Sequence, residues 1–580
     1  MLRPAATVAR ALLLAALVAY GAGCGGQDEK AGGHLTFLAS GDVDYLDPGQ
    51  TYSPFGYAVL YATNRTLYSF RPADALHPVP DLATGPPRIS ADKRTITVRI
   101  RPGVRYSPPL RHRTVSSADI KYAFERAFTK QVPSGYAGSY FGSIAGAPSP
   151  PNAHGYRPIR GIMTPDPHTL VLRLTRPDAV TVAQALVMPI TVPVPRSYAR
   201  PFDRRSPSTY DQHVVFTGPY MVKADASGRI VGRTPGRQIQ LVRNPSWDPE
   251  TDYRPAELDS ITLQEGNNDL TVAGRRAISG KASVCCDVTQ PPAPVVRRAM
   301  SAGQAQFVPS GGTLYAALNT TIPPFDNLNV RRAVLAAFDR RAALLTRGGR
   351  VAGDIASGFL PPGIPGFAEA GGLRQNQDLD FLRAVDGDAA LARRYMLAAR
   401  SQGVPVDDTG RYTGGRRLLA VGINAEPDRK TAEVVQAQLA RLGLRLDLHP
   451  VPADTMFTKF CSVPGAKVAV CPSVGWYRDY TDAQPMLMPT FGGSSIRAEG
   501  NVNFPQLDVP AIDAAMAKAV TLPAGRQRNR AWARINHMVT EQAPAIPLVW
   551  SKSAVIASRD VDAVVNGYYG TPDLSFTALR

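Results

Sequence analysis

The 580-residue chain lacks the spacings on which metal and catalytic chemistry depend. Its five cysteines form no C-x-x-C, and its eight histidines are scattered with no H-E-x-x-H and no pair four apart. A zinc or other metal site is therefore not expected. No G-x-S-x-G is present, and Gly280-Lys281 lacks both the following Ser/Thr and the glycine spacing of a phosphate-binding loop. Ser90-Ala91-Asp92-Lys93 fits S-x-x-K, but it lies in a hairpin turn with no S-D-N or K-T-G partner. No enzyme machinery is visible and no cofactor is implied. Beyond the first twenty residues there is no long apolar run, which excludes a multi-pass membrane protein. Net charge is +18, yet no block of five Lys or Arg occurs and no basic segment is interleaved with stacking aromatics. Nucleic-acid binding is set aside in favour of a diffuse positive surface suited to anionic lipid or cell-wall polymer. With 44% hydrophobic and 19% charged residues, the composition is that of a folded globular protein. The 52 Pro and 50 Gly imply many turns.

The N-terminus carries Arg3 and Arg10, then the apolar run Ala11–Ala19, then Gly21-Ala22-Gly23-Cys24. A positive region, a short apolar region and small residues describe a secretory signal over 1–23. Cys24 after the small residues resembles the acylated cysteine of bacterial lipoproteins, although Gly21 stands where Leu is usual. An ordinary signal peptide with a chance cysteine is the alternative. The Gly-rich stretch 24–33 then reads as a tether between lipid and folded body.

Export puts the other four cysteines in an oxidising setting. Cys461 and Cys471 flank a Pro464-Gly465 turn and are the favoured pair; a vicinal disulfide between adjacent Cys285 and Cys286 is open but strained, and four cysteines allow three pairings. Along the body, strands are expected at 35–38, 88–100, 169–174, 238–243, 418–423 and 444–449. Helices are expected at 61–68, after the Ser116-Ser117 cap, over 330–346 and over 430–442. The alternation is α/β.

Short segments in order then carry a resemblance: Asp44-Tyr45-Leu46-Asp47-Pro48, Pro80-Asp81-Leu82-Ala83 and the hairpin Asp92–Tyr106 with Arg101-Pro102-Gly103-Val104. They continue with Ser117–Arg126, Thr217-Gly218-Pro219-Tyr220, Val330-Arg331-Arg332-Ala333, Phe338-Asp339-Arg340, Gly475–Tyr480 and Ala543–Leu548. The chain resembles the extracellular solute-binding proteins, family 5, that serve oligopeptide, dipeptide and nickel ABC importers.

The resemblance implies an α/β, two-lobed periplasmic-binding-protein-like fold with an extra subdomain in the first lobe and two hinge strands. Lobe one takes 34–310 plus 547–580 and lobe two 311–546, with hinges near Phe307-Val308-Pro309 and Pro547-Leu548-Val549. It implies a monomeric lipoprotein, held outside the cytoplasm at the cell membrane, that captures a peptide between the lobes for a permease whose ATPase is another polypeptide. In peptide-binding members the aspartate of G-W-x-x-D meets the ligand's ammonium group. That maps onto Asp479, with Gly475, Trp476 and Tyr477 before it, while Gly41, Asp42 and Val43 map onto backbone partners in the opposite lobe. No arginine can be assigned to the ligand's carboxylate, and no matched histidine supports nickel. An exported sensor or enzyme that keeps the fold, or a binder of a non-peptide solute, is the alternative function.

Overall fold

The computed structural model describes residues 32–267, 269–287 and 290–580; the expected signal, Cys24 and most of the tether lie outside them. Local chemistry builds the elements as the patterns require. Ile96, Val98 and Ile100 are buried while Arg99 points out to solvent, so the strand Thr95–Arg99 has one inward face. Ser116 and Asp119 form a capping box on the helix Ser117–Ala127.

A twelve-stranded sheet runs through the molecule. Its path begins Leu446–Val451, Leu418–Ile423, Val470–Tyr477, Ala305–Leu318, Ala545–Ala557. It continues Ser283–Cys285, His34–Leu38, Ser260–Gln264, Gln238–Arg243, Tyr220–Val222. The two-lobed form follows from where side chains bury. Leu35, Phe37, Leu263 and Val555 share one core with the first lobe's sheet, and Leu318, Val334, Leu418 and Val549 share another. The extra subdomain carries its own four-stranded sheet, with Thr95–Arg99 and Thr169–Arg173 paired at its centre.

Ala305–Leu318 and Ala545–Ala557 pair antiparallel and cross between the cores. Their register is irregular between Pro309 and Thr313, where Gly311 has φ +68°. Pro309 faces Lys552, and Leu548 and Val549 pack in the second core.

Two expected helices differ. The first runs Pro54–Thr63, not 61–68, because Ser53 caps it and Pro54 opens it. The span expected as one helix over 330–346 is two, Leu328–Ala337 and Arg340–Thr346. Phe338 turns into the core and Asp339 accepts from the Ala342 amide, starting the second helix afresh.

Several segments that carried the resemblance prove to be buried clamps. Arg126 meets Asp47 at 2.6 and 2.8 Å and Asp203 at 2.7 Å, fixing the Leu46-Asp47-Pro48 turn to its helix. Asp81 holds Arg65 at 2.6 Å and Arg254 at 2.8 Å. Arg331 and Arg340 donate to backbone carbonyls of Phe325 and Ala356, and burial pulls both guanidinium pKa values down to about 10. Disulfides join Cys461 to Cys471, with Cα atoms 6.2 Å apart, and Cys285 to Cys286.

Candidate functional site

The strand Val470–Tyr477 pairs along one edge with the crossing strand: Gly475 with Leu314, Trp476 with Thr313, Tyr477 with Gly312. Along its other edge it meets Leu418–Ile423 only at Val470. Beyond Val470 the strand borders a cavity of about 930 Å3 between the lobes. Asp269–Thr271 and Pro291–Ala293 line it from the first lobe, and Arg347, Asp428, Ser473, Gly475 and Tyr477 from the second. Glycine is required at two positions here. A Cβ on Gly312 would collide with the ring of Tyr477, and one on Gly475 would press on Leu314.

Inside the cavity, Asp428 accepts from Arg347 Nη1 at 2.8 Å and from the Ser473 hydroxyl at 2.6 Å. Thr431 and Ser473 lie 3.5 Å from the same Nη1. All these contacts use one end of the guanidinium, and its Nε–Nη2 edge makes no hydrogen bond to the described residues. That edge has the geometry for a carboxylate. Burial raises the Tyr477 phenol pKa, and the charges of Arg347, Asp428 and Asp287 all reach it.

Asp479, two residues past the strand, is in a different environment. It is 5% exposed, and its carboxylate accepts from the hydroxyl of Tyr140, with the Tyr52 phenol also interacting with it. Tyr568 donates to its backbone carbonyl. Burial pushes the Asp479 pKa up to about 7, and the Tyr140 and Tyr52 phenols pull it only partly back. Its neighbour Arg478 gives it no charge partner. The Arg478 guanidinium donates to the carbonyls of Gly363, Gly567 and Tyr568, and burial lowers its pKa to about 10. Trp476 is half-buried, donates to the Pro485 carbonyl at 2.7 Å, and meets the edge of Tyr52 with ring centres 6.4 Å apart.

The segment after Asp479 continues into the first lobe. Tyr480 packs in that lobe's core, and Thr481 donates to the Ala75 carbonyl at 2.7 Å. Asp482 pairs with Arg528 at 2.7 Å, and Arg528 reaches Thr181 of the first lobe at 3.0 Å. This is a dry junction between the lobes.

The expected residues thus divide. Gly475 and Tyr477 line the cavity; Asp479 and Trp476 stand at the tyrosine junction. In the opposite lobe, the Gly41 amide donates to Asp287 at 2.7 Å and the Val43 amide to Glu265 at 2.9 Å, while Asp42 is exposed. Those two amides are committed to the protein's own carboxylates, so what the loop offers the cleft is its remaining groups. Sequence reading found neither the Asp479 tyrosines nor Arg347. Tyr52, Tyr140 and Tyr568 come from three distant segments, and Arg347 is one of many arginines.

Residues 77–497 match the model of bacterial extracellular solute-binding proteins, family 5, middle region. Di/tripeptide-binding protein 3 of Pseudomonas aeruginosa is 24% identical over 93% of this chain and 94% of that protein. The periplasmic oligopeptide-binding protein OppA of Escherichia coli is 22% identical over 87% and 84%. Among solved structures, clavulanic acid biosynthesis oligopeptide binding protein 2 is 29% identical with TM-score 0.80, covering 95% of this chain and 96% of that one. The DppA protein of Helicobacter pylori in complex with the peptide STSA superposes with TM-score 0.74 at 18% identity, over 95% and 98%. This chain belongs to the bacterial extracellular solute-binding proteins of family 5.

Proposed function

We propose that this protein captures peptides between its lobes and delivers them to the permease of an ABC importer, anchored to the membrane through acylated Cys24. An extended peptide lies along the free edge of Val470–Tyr477, with its amino end at Asp479 and its carboxyl end toward Arg347. Main-chain bonds along a strand edge give affinity for many sequences. The lobes open and close about the paired crossing strands to admit and hold it. Di/tripeptide-binding protein 3 and OppA are binding proteins named for peptides, which supports a transport role without catalysis.

One observation carries the reading. Asp479 is a buried carboxylate at the lobe junction with no cationic side chain paired to it among the described residues, at the end of the strand that borders the cavity. An ammonium group brought there gains a charge-assisted bond in a dry setting. Asp479→Asn keeps the shape and removes the charge. Calorimetry should show a loss of about 2–4 kcal/mol for a free-amine peptide, as for breaking one side of a buried pair. N-acetylation of the peptide should cost the wild type a similar amount and the variant little more, because both changes delete the same interaction. Additive losses, or tight binding by the variant, would reject the assignment. For the anchor, Cys24→Ala should release the folded protein into the medium; unchanged membrane retention rejects acylation.

A further inference from the structure

We propose that a second groove, built within the second lobe, docks an acidic amphipathic helix of a partner polypeptide. The groove holds about 710 Å3 and shares no lining residue with the cavity between the lobes. The inference therefore stands apart from how the peptide is held.

The helix Arg526–Glu541 forms its base, between the helix Pro510–Ala519 and the 366–378 segment. Ala531, Ile535 and Met538, spaced four and three apart, share the face that packs toward Pro510–Ala519. With Ala515, Ala519 and Leu522 they make an apolar floor. Lys518 stands on one rim and Arg530 and Arg534 on the other. All three are exposed, and none makes a hydrogen bond or ion pair to the described residues. The two carboxylates of the groove, by contrast, have partners. Glu369 accepts from Asn529 at 3.1 Å, and Asp378 lies 3.5 Å from His537 Nε2. The unanswered charge in the groove is positive.

The spacing selects a helix. Arg530 and Arg534 are four residues apart on one helix, about 6 Å along its axis. Carboxylates at the same spacing on a docked helix meet both guanidinium groups while its apolar ridge fills the floor. A lone exposed arginine is ordinarily just solvated. Three unpaired cations beside an apolar floor differ, because a ridge seated there excludes water from the charges at its edge. The end of the groove is also shaped in advance. Arg528 donates to the carbonyls of Ala519, Val520 and Leu522. From the first lobe, Lys93 Nζ donates to the Thr521 carbonyl at 2.9 Å and the Thr181 hydroxyl to that of Val520 at 3.1 Å. The turn is pinned from both lobes, so a partner meets a wall that needs little ordering.

The probe is a synthetic helix of about 18 residues with Leu along one face and Glu beside it at four-residue spacing. Blocking both ends removes the free amine and carboxylate of a transport ligand. In fluorescence polarisation at low salt the probe should bind the wild-type protein, and replacing its Leu by Ser at unchanged charge should weaken it at least about tenfold. Arg530→Glu with Arg534→Glu should weaken the Leu probe at least about tenfold. The matched reversal Arg196→Glu with Arg200→Glu, at exposed positions of the first lobe, should change it less than about twofold. A benzophenone in place of one Leu should crosslink the wild type within 515–538 or 366–378, a readout that needs no variant. No binding, equal losses from the two reversals, or crosslinks outside the groove overturn the proposal. Equal binding of the Leu and Ser probes overturns it too, since diffuse positive charge then suffices.

Discussion

The two ends of one short segment live in opposite solvents. Ser473, Gly475 and Tyr477 border a wide cavity, while Asp479 and Asp482, two and five residues past Tyr477, are sealed between the lobes. Each region holds an arginine–aspartate pair of nearly equal length, Arg347–Asp428 at 2.8 Å and Arg528–Asp482 at 2.7 Å. The cavity pair is 15% and 22% exposed, the junction pair 1% and 3%. Distance alone would rank them alike. Water access separates them, because a buried ion left without its partner keeps its desolvation cost and a wetted one does not.

The largest test of that contrast is Arg528→Met. Arg528 also donates to the carbonyls of Ala519 and Val520 and to Thr181, so its loss strands Asp482 and unties the first lobe from the second. Urea unfolding should show a loss of about 3–5 kcal/mol. A loss under about 1 kcal/mol would mean that the junction is wet.

Asp479 gives the next effect, of about 2 kcal/mol. Its pKa in the folded form, about 7, lies above the ordinary carboxylate value of 3.8. The folded state therefore binds its proton more tightly than the unfolded chain does. This contribution is complete below about pH 4 and is lost as pH rises through 7. Between pH 8 and pH 5 the ligand-free wild type should gain stability relative to Asp479→Asn, whose profile lacks this term. Parallel profiles would place Asp479 in water.

How much of this was legible in the sequence depends on range. Periodic apolar residues and caps are local, so the strand Thr95–Arg99 and the Ser116-capped helix could be read directly. The break at Phe338-Asp339 was hidden because apolar periodicity runs on through it, and only the Asp339 cap interrupts the helix. The segments that carried the resemblance were recognisable before their roles were: Asp47 and Asp81 anchor buried arginines. The Asp479 position was available from the family pattern, but not its burial. That depends on Tyr52, Tyr140 and Tyr568 converging from 427, 339 and 89 positions away, and no local pattern records such convergence.

Tyr568→Phe tests the junction at a single bond. The phenol donates to the Asp479 carbonyl, while its ring packs against Phe70 at 4.3 Å and Tyr61 at 6.1 Å. Phenylalanine keeps the rings and leaves one buried carbonyl without its donor. A loss of about 1–2 kcal/mol in thermal or urea unfolding is expected. No loss would mean that water replaces the hydroxyl, against the dry junction.

The smallest effect on stability is expected from Arg347→Met, and its smallness is the point. Arg347 bonds Asp428 and Ser473 in the cavity, where water can take over both, so unfolding stability should fall by less than about 1 kcal/mol. Ligand affinity should respond more. If the open Nε–Nη2 edge meets the peptide's carboxylate, a C-terminal acid should bind the wild type about ten- to a hundredfold better than its amide, and the variant should lose that preference. Asp428 then serves to hold the guanidinium in place, so Asp428→Asn should blunt the acid-over-amide preference while leaving a measurable part of it. A preference unchanged in Arg347→Met would assign the carboxylate to another cation of the cavity, Lys430 or Lys552. A stability loss as large as that of Arg528→Met would erase the contrast between the wet and dry pairs.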